Sequence, residues 1–178
     1  MTVAEPIPKA ARLRGEIKTV TVLGATGSIG LNTLDLVERH RDRYAVDALT
    51  AHSNVDELAA LARRHGARRA VIGDPALHGR LKAALSGSGI EAAAGPEALV
   101  EAADGDAEFV MAGIVGSAGL APTLAAIRRG AQIGLANKEC LVCAGEIVMR
   151  EVRRSGAELL PVDSEHNAIF QVFDVERR

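Results

Sequence analysis

A strand, a glycine-rich loop and a helix follow one another near the amino end of the chain, and this order constrains the fold more than any other feature. The β-branched run Thr19–Leu23 predicts a buried strand, and Leu31–Arg39 has apolar residues at helical spacing. Between them lies Gly24-Ala25-Thr26-Gly27-Ser28-Ile29-Gly30. Glycines at such a junction let the backbone approach a diphosphate, which then faces the free amides of the helix. We predict a dinucleotide-binding loop helped by Thr26 and Ser28, with a purely structural turn as the alternative.

The rest of the chain continues to alternate strand and helix patterns. Further strands are predicted at Tyr44–Thr50, Arg69–Ile72, Ile90–Ala93, Phe109–Ala112, Gln132–Leu135 and Leu159–Val162. Helices are predicted at Val55–His65, Pro75–Leu85, Pro96–Ala103, Leu120–Arg129 and Leu141–Arg153. This alternation predicts an α/β fold, a Rossmann-like doubly wound and mainly parallel sheet. We assign residues 1–16 to a loose leader and residues 17–157 to the Rossmann-like domain.

The overall composition argues against several classes of function. The net charge is −2, whereas a nucleic-acid-binding protein presents a basic face. No apolar stretch is long enough to span a bilayer, and the leader lacks the apolar run of a signal peptide. We therefore expect a cytoplasmic protein that binds neither nucleic acid nor membranes.

The two cysteines, Cys140 and Cys143, form a C-x-x-C pair, a spacing found in redox sites and in halves of zinc sites. The sequence contains no second pair to complete a zinc site, and nothing else in it resembles thioredoxin. We favour small core residues as the interpretation, because free cysteine is so often buried.

Polar residues follow the second predicted strand, at the edge where parallel sheets bind ligands. An NAD enzyme usually carries an acid here, about 20 residues beyond the glycine loop, on the ribose hydroxyls. No acid occurs from Ala48 to Val55. A carboxylate would repel a 2′-phosphate, so its absence favours NADP, and His52, Ser53 and Asn54 are candidate hydrogen-bond donors to that phosphate. Plain loop residues are the alternative.

Two more stretches lie at the same predicted edge. The glycine-rich turn Gly113–Gly119 either lines the cofactor cleft or simply packs a strand against a helix. Ala136-Asn137-Lys138-Glu139 follows the strand Gln132–Leu135. Lys138 offers a positive charge to a phosphate or enolate oxygen, whereas a solvated helix cap is the simpler interpretation of this stretch.

A pair of carboxylates follows the last predicted strand. Asp163 and Glu165 are two residues apart, so continued strand geometry would place both on one face. Mg²⁺ or Mn²⁺ would neutralise their repulsion, because hard cations take oxygen ligands. A solvated polar loop is the alternative.

Taken together, three stretches resemble the 1-deoxy-D-xylulose 5-phosphate reductoisomerase family. They are Gly24–Gly30, Ala136–Glu139 and Leu160–Gln171, and the resemblance covers about residues 17–171. It implies NADPH-dependent conversion of 1-deoxy-D-xylulose 5-phosphate to 2-C-methyl-D-erythritol 4-phosphate in non-mevalonate isoprenoid synthesis. It also implies a Mn²⁺ or Mg²⁺ cofactor and a homodimer in the full-length enzyme.

The resemblance further implies roles for individual residues. Cofactor contacts fall at Thr26, Gly27, Ser28, Ile29, His52, Ser53, Asn54, Asn137 and Glu139. Lys138 matches a substrate contact and a catalytic position, and Ser164 matches a substrate contact. Asp163 and Glu165 match metal ligands, and Glu165 is also assigned to substrate binding and catalysis. The family often has Gly and a basic residue where this chain has His52 and Ser53, and Ser at the position of Cys140.

The resemblance also sets expectations for the carboxyl-terminal part. The family's chain continues beyond this point with a third acidic metal ligand and a lid. We therefore expect residues 158–178 to begin a catalytic domain, and the 178-residue chain to bind NADPH with little turnover. Two alternatives stay open: another NADP-dependent dehydrogenase that uses Cys140 or Cys143 as a nucleophile, and a non-catalytic NADP-binding module.

Overall fold

The strands of the protein form one parallel sheet whose order reverses beside the first strand. The structure, a computed structural model, describes residues 17–162. Its strands are β1 (Lys18–Leu23), β2 (Tyr44–Ala51), β3 (Arg69–Ile72), β4 (Glu91–Ala94), β5 (Phe109–Ala112), β6 (Gln132–Leu135) and β7 (Glu158–Pro161). Their order across the sheet is β4-β3-β2-β1-β5-β6-β7, and every pair is parallel. This confirms the predicted Rossmann-like doubly wound fold.

Helices connect the successive strands. They are α1 (Ser28–Arg39), α2 (Val55–His65), α3 (His78–Ala84), α4 (Pro96–Asp104), α5 (Leu120–Arg128) and α6 (Glu139–Ser155). Short 3₁₀ turns at Pro75–Leu77 and Ser117–Gly119 precede α3 and α5. The predicted helix Pro75–Leu85 is therefore two elements, and the Asp74 side chain caps the first by accepting from the Ala76 amide at 2.9 Å. None of the helices within residues 17–162 is long and apolar enough to cross a membrane.

The core consists of two large aliphatic clusters, one on each face of the sheet, and a smaller third cluster that includes Val71 of β3 and Ala98 of α4. Neighbouring residues of β1 belong to different clusters, with Val22 packing in one and Leu23 in the other, as the alternation of strand side chains requires. The first cluster includes Leu34 of α1, and the second includes Val148 of α6. Burial on both faces explains why the strands read as nearly continuous apolar runs.

The last strand, β7, extends the same sheet as the other six. It pairs in parallel with β6, with Leu135 opposite Pro161. The strand expected to begin a second domain is thus an edge strand of the Rossmann-like sheet. Residues 1–16 and 163–178, and with them Asp163, Ser164 and Glu165, lie outside the described residues, so the domain division remains a prediction.

Candidate functional site

The first glycine loop is held at the point where the order of strands reverses. Gly24 follows β1 in the left-handed region (φ 82°), which glycine adopts without steric cost. Its amide donates to the Thr50 hydroxyl at 2.9 Å, and the Ala25 amide donates to the Thr50 carbonyl at 2.7 Å. On the other side, a Cβ at Gly24 would lie 2.8 Å from the Gly113 carbonyl oxygen. The loop is therefore fixed to β2 and to the end of β5, across the switch point of the sheet.

The helix after this loop begins earlier than the sequence predicts. α1 starts at Ser28 rather than Leu31. Its third residue, Gly30, packs directly on the loop, where a Cβ would overlap the Gly24 carbonyl oxygen. The N-cap residue Gly27 has no side chain to satisfy the first helical amides. Gly27 and Ser28 are exposed, and Thr26 and Ile29 are half-buried. Free amides and the positive end of the helix dipole at an open surface suit a phosphate anion.

The residues after β2 lie at the same edge and are all exposed, namely His52, Ser53 and Asn54. Asn54 caps α2: its Oδ1 accepts from the Glu57 backbone amide at 3.4 Å, and its Nδ2 donates to Glu57 Oε2 at 2.6 Å. Both polar atoms of the Asn54 side chain are therefore engaged by Glu57, one of them by its carboxylate. Sequence reasoning missed Glu57, although the spacing N-x-x-E was a readable signal for it.

The start of α6 combines one buried residue with two exposed ones. Asn137 is 1% exposed, and its Nδ2 donates to the carbonyls of Ile114 (2.6 Å) and Gly116 (2.9 Å). Lys138 and Glu139 are exposed at the helix N-terminus. Among residues 17–162, no acidic side chain pairs with the Lys138 ammonium. Lys138 therefore presents its charge to the open edge, whereas the Asn137 side chain is directed into the protein.

The second glycine-rich turn, Gly113–Gly119, is packed at its ends and exposed in its middle, so it has features of both a packing turn and a cleft-lining turn. Its ends are packed: a Cβ at Gly113 would lie 2.9 Å from the Leu23 carbonyl oxygen, and one at Gly119 would lie 2.6 Å from that of Ile114. Its middle, at Val115, Ser117 and Ala118, is exposed. The packed ends fix the turn, and the exposed middle offers a surface at the edge of the sheet.

The two cysteines have different surroundings. Cys140 is buried and Cys143 is exposed, and both are free thiols. The interpretation as small core residues is therefore wrong for Cys143, which lies on the solvent face of α6. Burial raises the pKa of the Cys140 thiol, an effect that a hydrogen bond with Thr123 opposes. A buried and protonated thiol is a poor nucleophile, which argues against Cys140 as the catalytic group of a different dehydrogenase.

The predicted metal ligands Asp163 and Glu165 lie outside the described residues, as does Ser164. Residues 17–162 contain no group of three or more His, Cys, Asp or Glu side chains arranged to hold a metal ion. β7 is parallel to its neighbour, and the Val162 amide donates to the Leu135 carbonyl at 3.1 Å. The chain thus leaves β7 at the same edge as the glycine loop.

The comparisons with known proteins agree with this geometry. A family model described as 1-deoxy-D-xylulose 5-phosphate reductoisomerase matches residues 20–145. The reductoisomerase of Rhodospirillum centenum is 63% identical over 162 residues, which are 91% of this chain and 40% of that protein. The chain therefore spans about two fifths of the length of such relatives.

Solved structures give the same assignment. The reductoisomerase of Zymomonas mobilis in complex with NADPH is 62% identical, with a TM-score of 0.88 over 89% of this chain and 42% of that one. A DOX-P reductoisomerase in complex with NADPH, fosmidomycin and magnesium is 41% identical, with a TM-score of 0.86 over 89% of this chain and 40% of that one. The chain belongs to the 1-deoxy-D-xylulose 5-phosphate reductoisomerase family.

Proposed function

We propose that the protein uses NADPH and a divalent cation to convert 1-deoxy-D-xylulose 5-phosphate to 2-C-methyl-D-erythritol 4-phosphate. One observation carries the proposal: the first glycine loop and the uncapped start of α1 form an exposed, amide-lined cradle at the switch point of the sheet. Relatives described with NADPH and with magnesium support the two cofactors.

The cradle accounts for how this chain would hold the dinucleotide. The amides of Ser28 and Ile29, with the Thr26 and Ser28 hydroxyls, would bind the diphosphate, and bare Gly27 leaves room for its approach. His52 and Ser53 would donate to the 2′-phosphate from the end of β2, with Asn54 beside them. When bound, NADPH supplies the hydride that reduces the carbonyl of the rearranged substrate.

Lys138 is the described residue best suited to meet the substrate. Its exposed ammonium stands at the carboxyl end of β6, beside Glu139, which we assign to a cofactor contact. In that position the ammonium would bind a phosphate or enolate oxygen and stabilise negative charge as it develops.

Residues beyond Val162 complete the proposal. The carboxylates of Asp163 and Glu165 would bind Mg²⁺ or Mn²⁺, which acts as a Lewis acid on substrate oxygens. Ser164 and Glu165 would contact the substrate, and residues 158–178 would begin the catalytic domain. The parallel direction of β7 supports this assignment, because it brings the chain to the glycine-loop edge just before Asp163.

Separate fluorescence titrations of the chain with NADPH and with NADH test the proposed cofactor. The chain contains no Trp, so little protein emission overlaps the signal. We expect NADPH to bind more tightly than NADH. Equal affinity for the two dinucleotides would contradict the assignment of the 2′-phosphate site.

A titration of the chain with Mn²⁺ tests the metal ligands. We expect Mn²⁺ to bind the wild-type chain and to lose affinity in the Asp163→Ala variant, because one of two carboxylate ligands is removed. Unchanged Mn²⁺ affinity in this variant would contradict the role of Asp163. Asp74→Ala, which removes a carboxylate at the end of β3, is the control.

The homodimer implied by the resemblance and the cytoplasmic location remain predictions. Sedimentation of the full-length protein would test the first, and its distribution between cell fractions the second.

A further inference from the structure

The side-chain amide of Asn137 uses both of its donor hydrogens and its acceptor oxygen in hydrogen bonds within the candidate site. Both of its donors reach the second glycine-rich turn, at Ile114 O (2.6 Å) and Gly116 O (2.9 Å). Its Oδ1 accepts from the Cys140 amide at 3.2 Å, within the first turn of α6. Losing one partner of such a buried network leaves the other polar groups unsatisfied, which is costly. One buried amide therefore ties together two segments that lie about twenty residues apart in the sequence.

The Asn137 side-chain amide is closely packed against the second glycine-rich turn. A Cβ at Gly119 would lie 2.5 Å from Asn137 Nδ2, closer than non-bonded atoms approach. Gly119 is itself held, because its carbonyl accepts from the Thr123 hydroxyl at 2.6 Å. The amide thus fills the space that any side chain at position 119 would need, and the turn closes directly on it.

The first turn of α6 depends on Asn137 for a second reason. Ala144 has non-helical dihedral angles (φ −141°, ψ 24°), so the regular helix is interrupted there. The segment Glu139–Cys143 therefore does not take its direction from a continuous hydrogen-bond ladder. Its described contacts include the bond from the Cys140 amide to Asn137 Oδ1, the hydrogen bond between the Cys140 thiol and Thr123, and the Lys138 carbonyl, which accepts from the Leu141 and Val142 amides.

We propose that Asn137 is a positioning residue that locks the second glycine-rich turn to the start of α6, so that the two form one preorganised surface for the nicotinamide half of the cofactor. This inference rests on the proposed binding of NADPH. In a doubly wound fold the two halves of a dinucleotide lie on either side of the switch point. The adenosine half then lies toward β2, and the locked surface, which follows β5 and β6, faces the other half. The inference adds a positioning role to Asn137, which the resemblance predicts to contact the cofactor.

Comparing the affinities for two ligands distinguishes this positioning role from a general loss of structure. Calorimetry would measure the affinity of each variant for NADPH and for adenosine 2′,5′-bisphosphate, which carries only the adenosine half. We expect Asn137→Ala to weaken NADPH about tenfold, the order expected for losing a buried hydrogen-bonding group, and to change the bisphosphate affinity less than twofold. An equal loss for both ligands, or no loss for NADPH, would overturn the inference.

Two further variants keep the test decisive if Asn137→Ala folds poorly. Gly119→Ala disturbs the same contact from the turn by placing a methyl group against the Asn137 side-chain amide. We expect the same selective loss of NADPH affinity. Asn137→Asp retains an acceptor for the Cys140 amide but turns an oxygen toward the Ile114 and Gly116 carbonyls. We therefore expect Asn137→Asp to lose NADPH affinity as well. Wild-type NADPH affinity in this variant would contradict the inference, because the bonds to the Ile114 and Gly116 carbonyls would then not be needed. A wild-type chain that binds neither ligand would instead refute the proposed function.

Discussion

At the scale of single residues, glycine and asparagine set the shape of the candidate site through contacts between distant parts of the chain. Gly24 and Gly30 were recognisable as a phosphate loop because they lie close together between a strand and a helix. The partners of Asn137 were not recognisable, because Ile114 and Gly116 are brought to it only by the pairing of β5 with β6. Residue type and spacing reveal local chemistry, whereas burial and tertiary partners depend on the assembled sheet.

Replacing Gly30 with alanine should disrupt the phosphate cradle. The new Cβ would overlap the Gly24 carbonyl oxygen and the Ala25 backbone, neither of which can move without shifting the loop. We expect NADPH affinity to fall at least tenfold and the free energy of unfolding to fall by about 1–3 kcal/mol, the usual cost of overpacking.

The matched control is Gly79→Ala in α3. A Cβ at Gly79 would meet no atom of the described chain within 4 Å. It should leave NADPH binding unchanged and raise stability slightly, since alanine is the better helix former. Equal NADPH affinity in the Gly30→Ala and Gly79→Ala variants would contradict the cradle.

The carboxylate of Glu57 should limit the preference for NADPH over NADH. It is hydrogen-bonded to Asn54, beside the residues proposed to bind the 2′-phosphate. Glu57→Gln removes the negative charge but preserves a capping side chain. We expect the ratio of NADH to NADPH dissociation constants to rise about two- to fivefold, as for one partly screened charge.

Glu97→Gln is the control for this charge change, because Glu97 is also a first-turn glutamate, but of α4. Parallel titrations of the two variants with both dinucleotides make the measurement. An identical ratio in wild type and Glu57→Gln would show that the carboxylate does not act on the phosphate.

At the scale of secondary-structure elements, boundaries were predictable where a local signal marked them. α2 has the predicted bounds Val55–His65, because Asn54 before it and Gly66 after it are local signals for the start and the end of a helix. α1 and α6 begin earlier than predicted, at Ser28 and Glu139. The first turns of both helices contain glycine or polar residues, which by type alone predict a loop. Tertiary packing makes these residues helical.

Replacing Gly66 with alanine tests the end of α2 by itself. Gly66 is left-handed (φ 61°), and a Cβ there would touch no atom of residues 17–162 within 4 Å. The cost is therefore conformational, and we expect the free energy of unfolding to fall by about 1 kcal/mol. Urea denaturation measures this change, and NADPH affinity should stay at the wild-type value. A variant as stable as wild type would contradict the left-handed assignment.

At the scale of the whole molecule, the doubly wound sheet gathers the candidate residues at one edge. The alternating pattern of the sequence was sufficient to predict this architecture, because parallel strands must be joined by crossovers. The sheet itself does not mark a boundary at residue 157, because β7 pairs with β6 of the same sheet, and the division there remains a prediction. The first glycine loop, the end of β2 and the start of α6 thereby share an edge, although they are distant in sequence.

Hydrogen–deuterium exchange of the 178-residue chain, with and without saturating NADPH, tests most directly whether the cofactor occupies that edge. NADPH should slow exchange of the amides at Gly27–Leu31, which form the start of α1, and of those in Gly113–Gly119. Exchange at the opposite edge, around Asp104–Ala107, should be unchanged. Protection confined to that opposite edge, or no protection of Gly27–Leu31 at saturation, would contradict the account.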